Sequence, residues 1–113
     1  MDIGVEHRPG GLTVLRPAGR LNMTTAMDLR QAIVALVTSG SPFVVVDLSQ
    51  VDFIDSSGLG GLVSGLKTAR EAGGDLRLAA PTDQVRLVLQ LTNLEKVLIH
   101  FDDTELALRS WSE

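Results

Sequence analysis

A change of hydrophobic period in the middle of this chain constrains its fold more than any other feature. Residues Phe43-Val44-Val45-Val46-Asp47-Leu48 form an apolar run broken only by Asp47, as expected for a central strand covered on both faces. Further on, Leu59, Leu62, Val63 and Leu66 recur at the spacing of one helical face. Between the two lies Val51-Asp52-Phe53-Ile54-Asp55-Ser56-Ser57-Gly58-Leu59-Gly60-Gly61. An acidic residue, two hydroxyls and three glycines thus sit where a strand hands over to a helix. In an α/β fold that junction carries free backbone N–H groups and the positive end of a helix dipole.

The remaining elements fall around this pair. Ile3–Glu6 and Leu12–Ala18 read as short strands about the turn Pro9-Gly10-Gly11, and Pro17 predicts an edge or bulge late in the second. Gly19-Arg20-Leu21-Asn22-Met23-Thr24-Thr25 reads as a loop, followed by a helix with Leu29, Ile33 and Leu36 that ends near Ser39. A helix over about Ser57–Ala72 is expected, closed by Gly73-Gly74, then a strand over Asp75–Ala80. Thr82 is the expected cap of a third helix, with Asp83 complementing its dipole. Val97–Phe101 is the expected last strand, and Asp102-Asp103-Thr104 the expected start of a C-terminal helix ending near Trp111. Alternation of strands and helices from Phe43 onward implies parallel strands with right-handed crossovers. The expected architecture is α/β, a mixed sheet with a parallel core flanked by about four helices. One domain over residues 1–113 is the natural reading of this length, with no repeat, linker or low-complexity segment.

Composition removes several function classes. A formal charge of −4 with ten scattered Lys and Arg gives no basic stripe for nucleic acid, and the lack of Tyr removes a stacking platform. There is no cysteine, hence no disulfide, thiolate chemistry or Cys-based metal site. No apolar stretch approaches the ~20 residues that span a bilayer, and the N-terminus lacks a signal-peptide pattern, so a cytoplasmic protein is expected.

The loop at Asp55-Ser56-Ser57-Gly58 places hydroxyls at a helix N-terminus, where an added anion is tolerated. Each interior helical glycine costs roughly 1 kcal/mol relative to Ala. Gly58, Gly60, Gly61 and Gly65 crowd the start of the same helix, with Gly60 and Ser64 expected on its outer face. One reading makes Ser56 an exposed site of reversible phosphorylation beside a flat surface for a partner. Another makes Asp55 and Ser56 simple caps and the glycines a device for tight helix-to-sheet packing.

With Val45-Val46-Asp47-Leu48 before it, the stretch Phe53-Ile54-Asp55-Ser56-Ser57-Gly58-Leu59-Gly60 resembles the signature of bacterial anti-sigma factor antagonists. These carry the STAS domain (sulphate transporter and anti-sigma factor antagonist). Gly19-Arg20-Leu21-Asn22, Gly73-Gly74 and Leu76-Arg77-Leu78 follow the family's order. The resemblance implies a partner switch with no cofactor of its own. The unphosphorylated protein would bind an anti-sigma factor that is also a serine kinase and so release a sigma factor. Phosphorylation of the matching Ser56 would switch binding off, and a PP2C-type phosphatase would reset it. By the same match Asp55, Ser57, Gly58, Leu59, Gly60, Asn22 and Thr25 make up the phospholoop and partner-binding set. Asp55 would orient the Ser56 region and help engage the kinase. Ser57 is expected to cap the helix, with its hydroxyl near enough to be a second acceptor. Asn22 stands where many members carry Asp, leaving one carboxylate fewer near a phosphate. Thr25 matches a family threonine and is expected to cap the first helix.

Three alternatives compete. Ser56 with His7 or His100 could form a nucleophile and base, although both histidines lie near the chain ends in apolar strand contexts. Gly58, Gly60 and Gly61 suggest a phosphate cradle, and Asp47, Asp52 and Asp55 a Mg²⁺ site. No P-loop or dinucleotide motif accompanies them, and turns and caps explain the aspartates. A scaffold subunit of a stress-sensing or membrane-transport complex would share the fold without a phospho-switch. Leu87 and Leu91 would be its docking face, unless they pack in the core.

Overall fold

The computed structural model describes residues 1–112. Its strands are β1 (Asp2–Arg8), β2 (Leu12–Leu21), β3 (Phe43–Asp47), β4 (Val51–Ile54), β5 (Asp75–Ala79) and β6 (His100–Phe101). Its helices are α1 (Met23–Thr38), α2 (Ser56–Glu71), α3 (Asp83–Leu91) and α4 (Thr104–Arg109), with a 3₁₀ turn at Leu94–Lys96. The sheet runs β1-β2-β3-β5-β6, antiparallel between β1 and β2 and parallel thereafter, as the alternation of elements requires.

The ten-residue β2 organises the sheet. Its first part pairs with β3, Leu12 facing Phe43 and Leu15 facing Val46. Its last part pairs instead with β4, Leu21 facing Ile54, after a register shift between Gly19 and Arg20. Pro17 falls in the interval between these two ladders, where the missing N–H is tolerated. The residues read from sequence as the loop Gly19–Thr25 are therefore the end of β2 and the start of α1. Val51–Ile54 is a strand in its own right. The expected strand Val97–Phe101 shrinks to His100–Phe101 because the 3₁₀ turn continues into a bond from the Leu98 N–H to the Leu94 carbonyl.

Side chains alternate across the sheet and feed two unequal cores. On one face Leu15, Leu21, Val44, Val46, Ile54, Leu76 and Leu78 pack under α1, α2 and α3. On the other, Val14, Val45 and Ala79 meet Ala107 and Leu108 of α4, with the half-buried Leu12, Phe101 and Trp111 at the margin. A fully buried Val or Leu contributes about 1.5–3 kcal/mol and an alanine much less, so this second core is thin. Polar contacts reinforce it. Glu105 accepts from Arg8 at 2.6 Å, and Arg77 bonds Ser110. Trp111 meets the Phe43 ring edge-on at 5.5 Å, its Nε1 donates to Asp75 at 3.4 Å, and the Arg77 guanidinium lies 4.9 Å over its ring.

Leu87 and Leu91, whose place was open in the sequence, are 52% and 74% exposed. The inward stripe of α3 is Val85 and Leu89, four residues apart, and the other two leucines lie off it. Among the described residues no helix is long and apolar enough to cross a membrane.

Candidate functional site

Two helices start side by side at the carboxyl ends of β2 and β4. Since Leu21 and Ile54 are in register on adjacent parallel strands, the residues that follow them, Asn22 and Asp55, start their helices side by side at about the 5 Å spacing of neighbouring strands. Each has extended dihedrals and caps its helix. The Asn22 Oδ1 accepts from the N–H groups of Thr24 at 3.0 Å and Thr25 at 3.2 Å. The Thr25 hydroxyl accepts from the Asn22 N–H at 2.9 Å and donates to the Arg20 carbonyl at 2.6 Å. Thr25 is thus the third helical residue of a capping box, and the cap itself is Asn22, contrary to the sequence expectation. The residue that still has strand dihedrals takes the capping position, and here β2 runs to the residue before Asn22.

The same correction applies in α2. Asp55, not Ser57, is the cap, and its Oδ1 accepts from the Gly58 N–H at 2.9 Å. Ser56 is the first helical residue and is exposed. Neither α1 nor α2 has an acidic residue in its first turn, so the dipole ends are offset only by the two caps. Thr82 occupies the expected capping position of α3, but its hydroxyl donates to the Val51 carbonyl at 2.9 Å instead.

The four glycines of α2 divide sharply. A Cβ at Gly58 would overlap the Leu21 carbonyl oxygen and lie 2.8 Å from Ile54 Cγ1. At Gly61 it would lie 3.2 Å from Ala26 Cβ, and at Gly65 2.5 Å from Ile33 Cδ1. These three let α2 approach β2 and α1 closely, so packing does account for most of the glycine excess. Gly60 differs: a Cβ there meets nothing within 4 Å. Gly58 and Leu59 are buried beneath the loop; of the predicted set Ser56 and Gly60 are exposed, and Asn22, Thr25, Asp55 and Ser57 are half-buried.

Gly60 forms part of the floor of a groove of about 330 Å³ between α1 and α2, whose walls include Met23, Met27, Arg30, Ser57 and Ser64. Met23 and Met27 are 77% and 62% exposed. Sequence reasoning missed these methionines and Arg30. Their spacing of four and seven residues on α1, on a face distinct from the buried Leu29-Ile33-Leu36 stripe, was the available signal.

The rival sites do not assemble. His7 shares a hydrogen bond of 3.3 Å with Thr13, early in β2, and Ser56 follows β4, which pairs with the other end of β2 about 25 Å away. His100 lies on β6, at the far edge of the sheet. Asp47 is engaged by Arg16 at 3.2 Å, the Ser49 N–H at 2.9 Å and Thr104 at 3.4 Å, on the α4 side. No three His, Cys, Asp or Glu side chains among the described residues gather as metal ligands.

Known proteins share this fold. The STAS domain family model matches residues 3–107. A Thermotoga neapolitana protein, named as the homologue of a candidate anti-sigma factor antagonist, is 31% identical over 98 residues, covering 86% of this chain and 87% of its own. The anti-sigma F factor antagonist of Paenibacillus polymyxa is 28% identical over 109 residues, covering 96% and 92%. The crystal structure of a candidate anti-sigma factor antagonist from Thermotoga maritima superposes with a TM-score of 0.90 at 27% identity, covering 98% of this chain and 95% of the other. With its two capped helix starts, its exposed serine and these relatives, the chain belongs to the STAS-domain family of anti-sigma factor antagonists.

Proposed function

We propose that this protein is a cytoplasmic partner switch without enzymatic activity of its own, in which Ser56 carries the signal. Unphosphorylated, it docks an anti-sigma factor with serine kinase activity and frees a sigma factor. Phosphorylated on Ser56, it lets go, and a PP2C-type phosphatase returns it to the binding state. The observation that supports this most directly is the position of Ser56, exposed on the first turn of α2 while its neighbour Ser57 lines the α1–α2 groove.

A phosphate adds about −1.5 to −2 charges and three acceptor oxygens. At the first helical position it faces N–H groups that have no partner within the helix, so the fold accommodates it. A partner packed into the groove would have to strip water from it. That desolvation is costly, and the exposed methionines offer the partner only apolar contacts in return. Switching by exclusion at the surface follows, with little movement of the backbone. A phosphorylated structure with a large shift of α2 would sink this account.

The first test is co-purification from native lysate with wild type, Ser56→Ala and Ser56→Asp as bait. Retention of a kinase-like protein by the first two, and its loss from Ser56→Asp, is the expected result. Identical partners for all three would turn the reading over to a scaffold. That second reading has one observation of its own, the exposure of Leu87 and Leu91 on α3. It predicts that their substitution, rather than that of Ser56, abolishes assembly.

A further inference from the structure

Among the described residues β4 has a strand beside it on one side only. It pairs with β2, and on its other side the first turn of α3 stands in for a strand. The Gln84 carboxamide meets Ile54 twice: its Oε1 accepts from the Ile54 N–H at 2.9 Å, and its Nε2 donates to the Ile54 carbonyl at 3.1 Å. The Thr82 hydroxyl holds the other end of β4 through the Val51 carbonyl at 2.9 Å. A primary amide offers the same donor and acceptor as a peptide group, so Gln84 gives Ile54 what a neighbouring strand would give.

Ile54 is the last residue of β4, and Asp55 and Ser56 follow it directly. On the β2 side the next bond, from the Asp55 N–H to the Leu21 carbonyl, is long at 3.3 Å. The chain therefore enters the loop held more firmly from α3 than from the sheet. We infer that Gln84 is the positioning residue of the Ser56 loop. By fixing both polar groups of Ile54, it sets the direction in which the chain leaves β4, and with it where Asp55 caps α2 and Ser56 is presented. Gln84 acts through the Ile54 backbone, and its functional consequence rests on the reading of Ser56 given above.

Amide hydrogen exchange of the full chain, followed by NMR, tests this. Gln84→Met keeps the length of the side chain and removes both hydrogen bonds. Gln84→Glu keeps an acceptor for the Ile54 N–H and loses the donor. Gln90→Ala, at an exposed position on the same helix, is the control. In Gln84→Met, exchange at Ile54 and at Gly58, whose N–H is held by Asp55, should rise at least tenfold more than at Val45 and Leu78 in the central strands. Gln84→Glu should keep Ile54 protected and loosen Gly58 to a smaller degree, and Gln90→Ala should change neither. Unaltered exchange at Gly58 overturns the inference. So does an equal rise at all four amides, which would make Gln84 a contributor to global stability alone. Failure of the Ser56 reading has a separate signature: the same exchange pattern, with a Ser56→Asp chain that keeps every wild-type partner.

Discussion

Replacing Gly60 with alanine should stabilise the protein while weakening its binding. Gly60 lies in the interior of α2, where glycine is about 0.8–1 kcal/mol less favourable than alanine. Since a Cβ at this position meets nothing within 4 Å, no steric term offsets that gain. An unfolding entropy of roughly 2.1 cal/mol/K per residue gives ~0.24 kcal/mol/K for 113 residues, so the substitution should raise Tm by about 4 °C. Thermal unfolding followed by circular dichroism at 222 nm reads this directly. The same methyl group rises from the groove floor between Met27 and Ser64, where a docked partner would approach the helix backbone. Affinity for the anti-sigma factor should fall at least tenfold, or about 1.4 kcal/mol, as measured by titration calorimetry with the partner recovered by co-purification. A Tm that falls or stays put would refute the claim that this position is open. A higher Tm with unchanged affinity would refute the role of the groove.

Three further outcomes follow from the same geometry. Gly58→Ala should destabilise by about 2–3 kcal/mol through overpacking against the Leu21 carbonyl, read as a lower urea midpoint. Asn22→Ala should cost about 1 kcal/mol by removing the cap of α1, whereas Asn22→Asp should hold stability within a few tenths because aspartate caps equally well. Glu6 lies below the usual carboxylate range, chiefly through its hydrogen bond from Arg16 at 2.7 Å and then through Arg8. Because the folded value is depressed, its contribution is complete above the unfolded pKa of about 4.3 and is lost as pH falls through the folded value. Glu6→Gln should therefore flatten the acid limb of a stability–pH curve below about pH 4, and an unchanged limb would rule out this ion pair as a source of the slope.

Long elements were legible in the sequence because their apolar periods decide them. α1, α2, β3 and β5 stand where Leu29-Ile33-Leu36, Leu59-Leu62-Leu66, Val44-Val45-Val46 and Leu76-Leu78 put them. The errors fall where partners distant in sequence decide. β4 has only four residues, too few to show a period, and it exists because the end of β2 continues past β3 to meet it. Thr25 was the expected cap of α1, and the length of β2 gave that position to Asn22 instead. Gln84 carried no signal at all, because its partner lies 30 residues earlier on an edge strand. Helical spacing already put Gly60 on the outer face of α2, and the proximity of Leu21, Ala26 and Ile33 shows that the other three glycines serve packing.

Trp111 has a practical bearing on how this protein can be watched. It is the chain's only tryptophan, and it packs on Phe43, which pairs with Leu12 at the start of β2. Ser56 follows β4, which pairs with the opposite end of that strand, about 30 Å away. Intrinsic fluorescence will therefore register the release of α4 and global unfolding, yet remain dark to events at the loop and groove. An optical reporter of docking has to be introduced by design, and Met27→Trp would place an indole on the groove wall without disturbing the native emission.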